Sequence, residues 1–111
     1  ENLNDNVTAV NAVKPLWDHA SEKIYFSTDH HWTQRGSYYA YQAFKEAKGE
    51  TAPPLDSYER QVSENYVGSF AAKMEGTPGE EILKDNPDYV EKFMPLVEAN
   101  GTIYNDQETI R

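Results

Sequence analysis

Tyr39, Ala40, Ala43, Phe44 and Ala47 recur at i, i+1, i+4, i+5 and i+8, which lays one apolar stripe along a helix. Thr33 stands ahead of the stripe as an N-cap, and Gly49 stands after it as a terminator. Gly36 falls in the first turn, where it marks a close approach by another part of the chain. Upstream, Ile24-Tyr25-Phe26 is a short apolar run between polar residues and reads as a strand. A strand ending at Phe26 and a helix beginning after Thr33 confine residues 27–32 to one connecting loop.

The preceding segment predicts how that strand is placed. Val7 to Val13 is β-branched and reads as a strand, although Val7, Val10 and Val13 also fit a helical spacing. Pro15 suits the first turn of a helix with Leu16, Trp17 and Ala20 on its inner face, ending near Lys23. Residues 7–26 then form a βαβ unit with parallel strands, and residues 1–50 a βαβα part. Thr51-Ala52-Pro53-Pro54 is a break. Beyond it, residues 51–111 read as an irregular α+β extension: extended structure within Tyr58–Phe70, a helical turn at Glu80–Lys84, and strands at Tyr89–Met94 and Thr102–Tyr104. The class is α/β, and 111 residues make one small domain.

The loop carries Thr28-Asp29-His30-His31-Trp32. Loops at the carboxyl ends of strands form the active face of open α/β sheets, which would expose Asp29 and His31 there. A spacing of two lets both side chains turn to one point. The Asp29 carboxylate can then accept the Nδ1 proton of His31 and leave Nε2 as a base. His30 would point elsewhere, and Trp32 would wall the site. Each has a plainer alternative: Asp29 as a turn or helix cap, the histidines as solvated side chains, Trp32 as a core anchor. A metal site from Asp29, His30 and His31, joined by His19, is a further possibility. It lacks the spacing of an established ligand motif.

Charge and composition remove several function classes. The net charge of −9 argues against nucleic acid and anionic membrane. Residues 1–50 hold seven acids and five bases, residues 51–111 twelve and five, so the acidic excess lies away from the Asp-His loop. With no cysteine, thiol catalysis and zinc-thiolate sites are excluded. No apolar run approaches the roughly 18 residues of a membrane span. No cofactor motif is present. Eight tyrosines suit a carbohydrate-facing surface and equally a half-buried core. The chain opens at Glu1 and reads as an excised piece or processed form.

Phe26-Ser27-Thr28-Asp29-His30-His31-Trp32-Thr33, with Gly36 and Tyr38 to Phe44, closely resembles the DHHW family of bacterial SGNH-hydrolase-like proteins. It is also similar to the T-D-x-H-W-T signature of the alginate O-acetyltransferase group. The likeness continues loosely through Tyr66–Phe70 and Asn86-Pro87-Asp88. It implies a fragment of a flavodoxin-like, three-layer α/β/α domain. It implies that Asp29 and His31 are the acid and base of a Ser-His-Asp triad, with His30 at the variable position. One residue separates acid and base, against two in ordinary SGNH esterases, which favours the acetyltransferase-like branch.

The nucleophile is not identified. No G-D-S motif occurs, and Ser69 in Val67-Gly68-Ser69-Phe70 lacks an acidic neighbour and a clear elbow, so it reads as structural. The implied partner is an acylated polysaccharide or acyl donor at the bacterial cell envelope or outside the cell. The rival is a non-enzymatic carbohydrate-binding domain. An incomplete sheet also predicts a homodimer or strand-exchanged assembly.

Overall fold

A computed structural model describes residues 5–104 and 109–110. Along the chain lie α1 (Val13–Asp18), α2 (Gln34–Ala47), β1 (Arg60–Tyr66), α3 (Ser69–Lys73), α4 (Pro78–Asp85), β2 (Asp88–Phe93), β3 (Ile103–Tyr104) and β4 (Thr109–Ile110). Strand β1 pairs antiparallel with β2, and β3 with β4. The molecule is therefore a small mixed α/β domain with two-stranded antiparallel sheets.

Helix α2 follows the sequence expectation at both ends. Thr33 Oγ1 accepts the Gly36 N–H at 3.1 Å, and its own hydroxyl donates to the Lys23 carbonyl at 2.7 Å. A cap of this kind is worth about 1 kcal/mol. Gly49, at φ +76°, ends the helix in the left-handed region that glycine enters freely. Gly36 is needed for contact: a Cβ there would lie 2.3 Å from the Ile24 carbonyl oxygen. That contact seats the first turn of α2 against the chain entering the Asp-His loop. The stripe buries Tyr39 but leaves Phe44 about half exposed.

The predicted βαβ unit does not form. Residues 7–12 lack ladder partners, Val7 and Val10 are exposed, and α1 begins only at Val13. Asn11 Oδ1 accepts the Val13 N–H at 3.0 Å, so an Asx contact starts the helix where a strand was expected. Helix α1 spans six residues, too few for a parallel crossover, and Trp17 on its expected inner face is 78% exposed. Ile24–Phe26 folds back on its own chain. Tyr25 bridges Trp32 antiparallel, Phe26 N–H donates to His31 O at 3.3 Å, and Thr33 N–H donates to Ile24 O at 2.9 Å. The motif is thus the tip of a tight, laced loop.

Beyond the Pro53-Pro54 break, the extended and helical segments fall near the predicted positions. The β1–β2 ladder pairs Arg60 with Phe93 through Ser63 with Val90, then slips so that Tyr66 faces Asp88. Asn65, at φ +63°, marks this bulge, which re-aims the end of β1 toward the Asp-His loop.

The interior is as polar as it is apolar. Among the described residues the buried hydrophobics are Ile24, Tyr38, Tyr39, Ala52 and Ala71; the buried polar residues are Thr28, Asp29, Thr33, Asp88 and Glu91. On β2 the inward positions are acids. Glu91 takes both ends of the Arg35 guanidinium at 2.9 Å and Arg60 Nε at 2.6 Å. Arg35 first, and then Arg60, hold the Glu91 carboxyl below its usual value against the opposing effect of burial. Arg35 also reaches Glu22, which accepts the Tyr39 hydroxyl at 2.6 Å. One ionic network thus ties α2 to β1, β2 and the turn after α1.

Candidate active site

Thr28 is the most deeply buried residue of the loop. Its N–H and hydroxyl donate to Asp88 Oδ2 at 2.8 and 2.7 Å, and the Ser27 N–H reaches both oxygens of the same carboxylate at 3.0 Å. Lys23 Nζ completes the set at 2.5 Å from Asp88 Oδ1. Burial pushes the Asp88 carboxyl up, but Lys23, Thr28 and the two backbone N–H groups outweigh it and bring it down to about 2. Asp88 therefore remains ionised and grips the loop one residue before Asp29.

Asp29 is 5% exposed, whereas the loop reading placed it in the open. Its Oδ1 accepts the His31 backbone N–H at 2.9 Å and His31 Nδ1 at 2.5 Å. Its Oδ2 accepts the Tyr66 hydroxyl at 2.7 Å and the Ser69 N–H at 3.0 Å. The Tyr66 hydroxyl is the main cause of a carboxyl held far below the usual range; burial opposes it, and the Ser69 and His31 donors add to it. In return, the Tyr66 phenol is pushed up, first by its bond to Asp29. Gly68 admits this packing, since a Cβ there would stand 2.3 Å from Asp29 Oδ2.

The structure brings Asp29 and His31 together as the spacing predicts. The His31 side chain is 64% exposed, and no described residue hydrogen-bonds to its Nε2. His30 does not point elsewhere: its ring lies 3.9 Å from that of His31, and its Nδ1 is 2.7 Å from Ser69 Oγ. Trp32 is 42% exposed on the bridge to Tyr25.

Ser69 begins α3 three residues past the end of β1, so a strand-to-helix turn is present where no clear elbow was expected. Its hydroxyl meets His30 and not His31.

Sequence reasoning missed Tyr66 and Asp88 as site residues, and their only signal was the looser likeness around each. Donor atoms of Asp29, His30 and His31 lie within 4.8 Å of one another, close enough to share one cation. It would have to displace donors already bonded to both Asp29 oxygens. His19 is not in this group; it stacks on Tyr39 at 3.6 Å and bonds Glu22.

The fold and this cluster define a small α/β domain organised round a buried aspartate that grips an exposed imidazole. The chain belongs to the DHHW family: the family model described as "DHHW protein" matches residues 1–110. It is similar to the crystal structure of a DHHW family protein from Eubacterium siraeum DSM 15702, with 34% identity and a TM-score of 0.74. The match covers 87% of this chain and 29% of that one, so the chain spans less than a third of that relative's length. No curated protein matches it. No helix among the described residues is long and apolar enough to cross a membrane.

Proposed function

We propose that Asp29 and His31 are the acid and base of a serine-dependent O-acyl ester hydrolase or O-acetyltransferase. The substrate is an acylated polysaccharide at the bacterial cell surface or outside the cell. The observation that carries this reading is the 2.5 Å contact from Asp29 Oδ1 to His31 Nδ1. It assigns the Nδ1–H tautomer to His31 and leaves Nε2 as a base with an open approach. The motif resemblance supplies the reaction class and the expectation of a three-layer, flavodoxin-like parent fold.

In the mechanism, His31 Nε2 takes the proton from a serine hydroxyl supplied by the rest of the protein. The serine oxygen attacks the acyl carbonyl carbon, and the carbonyl electrons pass to oxygen. On collapse the ester C–O bond breaks, and the His31 imidazolium returns the proton to the departing alkoxide. A sugar hydroxyl or water gives its proton to His31 and attacks the acyl-serine carbonyl; the acyl C–O bond to serine breaks, and the His31 imidazolium returns the proton to the serine oxygen. Asp29 stays ionised throughout and stabilises the imidazolium.

Two rival roles fit less well. A sugar-binding carboxylate needs free lone pairs facing solvent, whereas both Asp29 oxygens are already bonded to protein donors. A metal ligand meets the same obstacle.

The test is ester turnover by the full-length protein on p-nitrophenyl acetate and on acetylated glycan. His31→Ala lowers kcat by about 10⁶-fold and Asp29→Ala by about 10⁴-fold. Residues 1–111 alone show negligible turnover, because none of the six serines hydrogen-bonds to His31. Near-native turnover by the His31→Ala protein overturns the reading.

A further inference from the structure

His30 and His31 are adjacent imidazoles whose Nδ1 atoms face different partners. His31 Nδ1 meets a carboxylate, which has no proton to give, so the ring's hydrogen sits at Nδ1 and its lone pair at Nε2. His30 Nδ1 meets a hydroxyl, Ser69 Oγ, at 2.7 Å. That oxygen also takes the His30 backbone N–H at 3.4 Å, and among the described residues its proton has no acceptor other than Nδ1, so donation to Nδ1 satisfies the hydroxyl. Asp29 Oδ1 does not reverse this polarity. It lies 3.7 Å from His30 Nδ1, beyond hydrogen-bond reach, and accepts two N–H groups of His31. With Ser69 as the donor, the hydrogen of His30 sits at Nε2.

Ser69 is itself firmly placed. Its N–H is bonded to Asp29, and the next N–H, that of Phe70, donates to the Thr28 carbonyl at 3.0 Å. The two rings sit 3.9 Å apart with planes inclined by 39°, and both side chains are more than half exposed. No described residue hydrogen-bonds to either Nε2. The pair thus offers an acceptor and a donor on neighbouring exposed rings.

We propose that His30 is a second catalytic residue of this site, whose Nε2–H donates to the carbonyl oxygen of the bound acyl ester while His31 Nε2 acts as base. Ser69 is its positioning residue. The inference rests on the acyl-transfer reading above and deepens it by giving the variable position of the motif a role. No proton is transferred from His30; its hydrogen bond strengthens as charge grows on the acyl oxygen.

The first test is nitrogen-15 NMR of the histidine rings near pH 8.5, and it needs no catalysis. His31 shows its unprotonated nitrogen at Nε2 and His30 shows it at Nδ1. Ser69→Ala moves both His30 nitrogens toward the averaged values of a solvated imidazole and leaves the His31 tautomer unchanged; Ser69→Thr restores the wild-type pattern. A His30 hydrogen at Nδ1 in the wild type, or His30 shifts indifferent to Ser69→Ala, overturns the proposal.

The second test is turnover by the full-length protein. His30→Phe keeps a ring against His31 but removes the donor, and kcat falls about 10²-fold with a smaller change in KM. His30→Gln, whose amide can donate, recovers part of the loss. Wild-type kcat in His30→Phe, alongside an inactive His31→Ala protein, sinks the role of His30 alone. An active His31→Ala protein sinks the acyl-transfer reading and this inference with it.

Discussion

Asp88 on β2 and Thr28 in the motif loop are joined by two hydrogen bonds to one oxygen, from the Thr28 N–H at 2.8 Å and its hydroxyl at 2.7 Å. A carboxylate sixty positions downstream thus sets the backbone from which Asp29 projects. Replacing Asp88 with Ala strands the Lys23 ammonium and removes the acceptor of three N–H or O–H groups. The expected loss is about 3–5 kcal/mol, the cost of breaking a buried ion pair, read from urea unfolding. A loss below about 1 kcal/mol would show that the loop is held by other means.

Tyr66→Phe removes one donor from Asp29 and leaves the others. Stability at neutral pH drops by roughly 1.5–3 kcal/mol, the worth of a hydrogen bond to a charged group. The Asp29 carboxyl moves back up toward its ordinary value, because the Tyr66 hydroxyl is the largest cause of its depression. The total stability lost on acidification therefore shrinks in this variant. An acid profile identical to that of the wild type would contradict the assignment.

The sign of the pH dependence follows from the same carboxyls. Asp29 and Asp88 bind protons less readily folded than unfolded. Their contribution is complete above the ordinary value of 3.8, and for Asp88 it is lost as pH falls to about 2, with Asp29 following at still lower pH. Asp88 accounts for roughly 2 kcal/mol of this loss. Urea midpoints measured against pH should fall steeply below about pH 4. A midpoint unchanged from pH 6 to pH 2.5 would falsify the account.

Gly68 and Gly49 separate two reasons for having no side chain. Gly68→Ala drives a methyl to within 2.4 Å of Asp29 Cβ, so β1 and the motif loop must part. It costs about 1–3 kcal/mol and perturbs the His31 ring signals. Gly49→Ala meets nothing within 4 Å and costs only the left-handed backbone, about 1 kcal/mol, with the His31 signals unmoved. Histidine chemical shifts in the two variants distinguish the cases; matching perturbations would refute the distinction.

Local chemistry was legible in the sequence where a short segment settles its own conformation. Thr33 and Gly49 bound α2 as their residue types dictate, and Asp29 meets His31 because two positions on a turning loop suffice for it. What escaped was long-range and polar. Asp88 and Glu91 look like part of a solvated acidic surface, yet both are buried against Lys23, Arg35, Arg60 and the backbone of the motif loop. The strand at Tyr89–Met94 was expected, but hydrophobic periodicity cannot reveal that its inward positions are acids. The reading of Ile24–Phe26 as a parallel strand failed for a related reason: an apolar run does not say which partner it pairs with, and here that partner lies a few residues ahead.

A protein whose interior is half ionic and hydroxylic exposes little hydrocarbon when it melts. Its heat-capacity increment should lie below the roughly 12–15 cal/mol/K per residue usual for globular domains. The free-energy curve of folding is then broad and shallow. Cooling and warming shift the balance gently, and acid is a sharper denaturant than either.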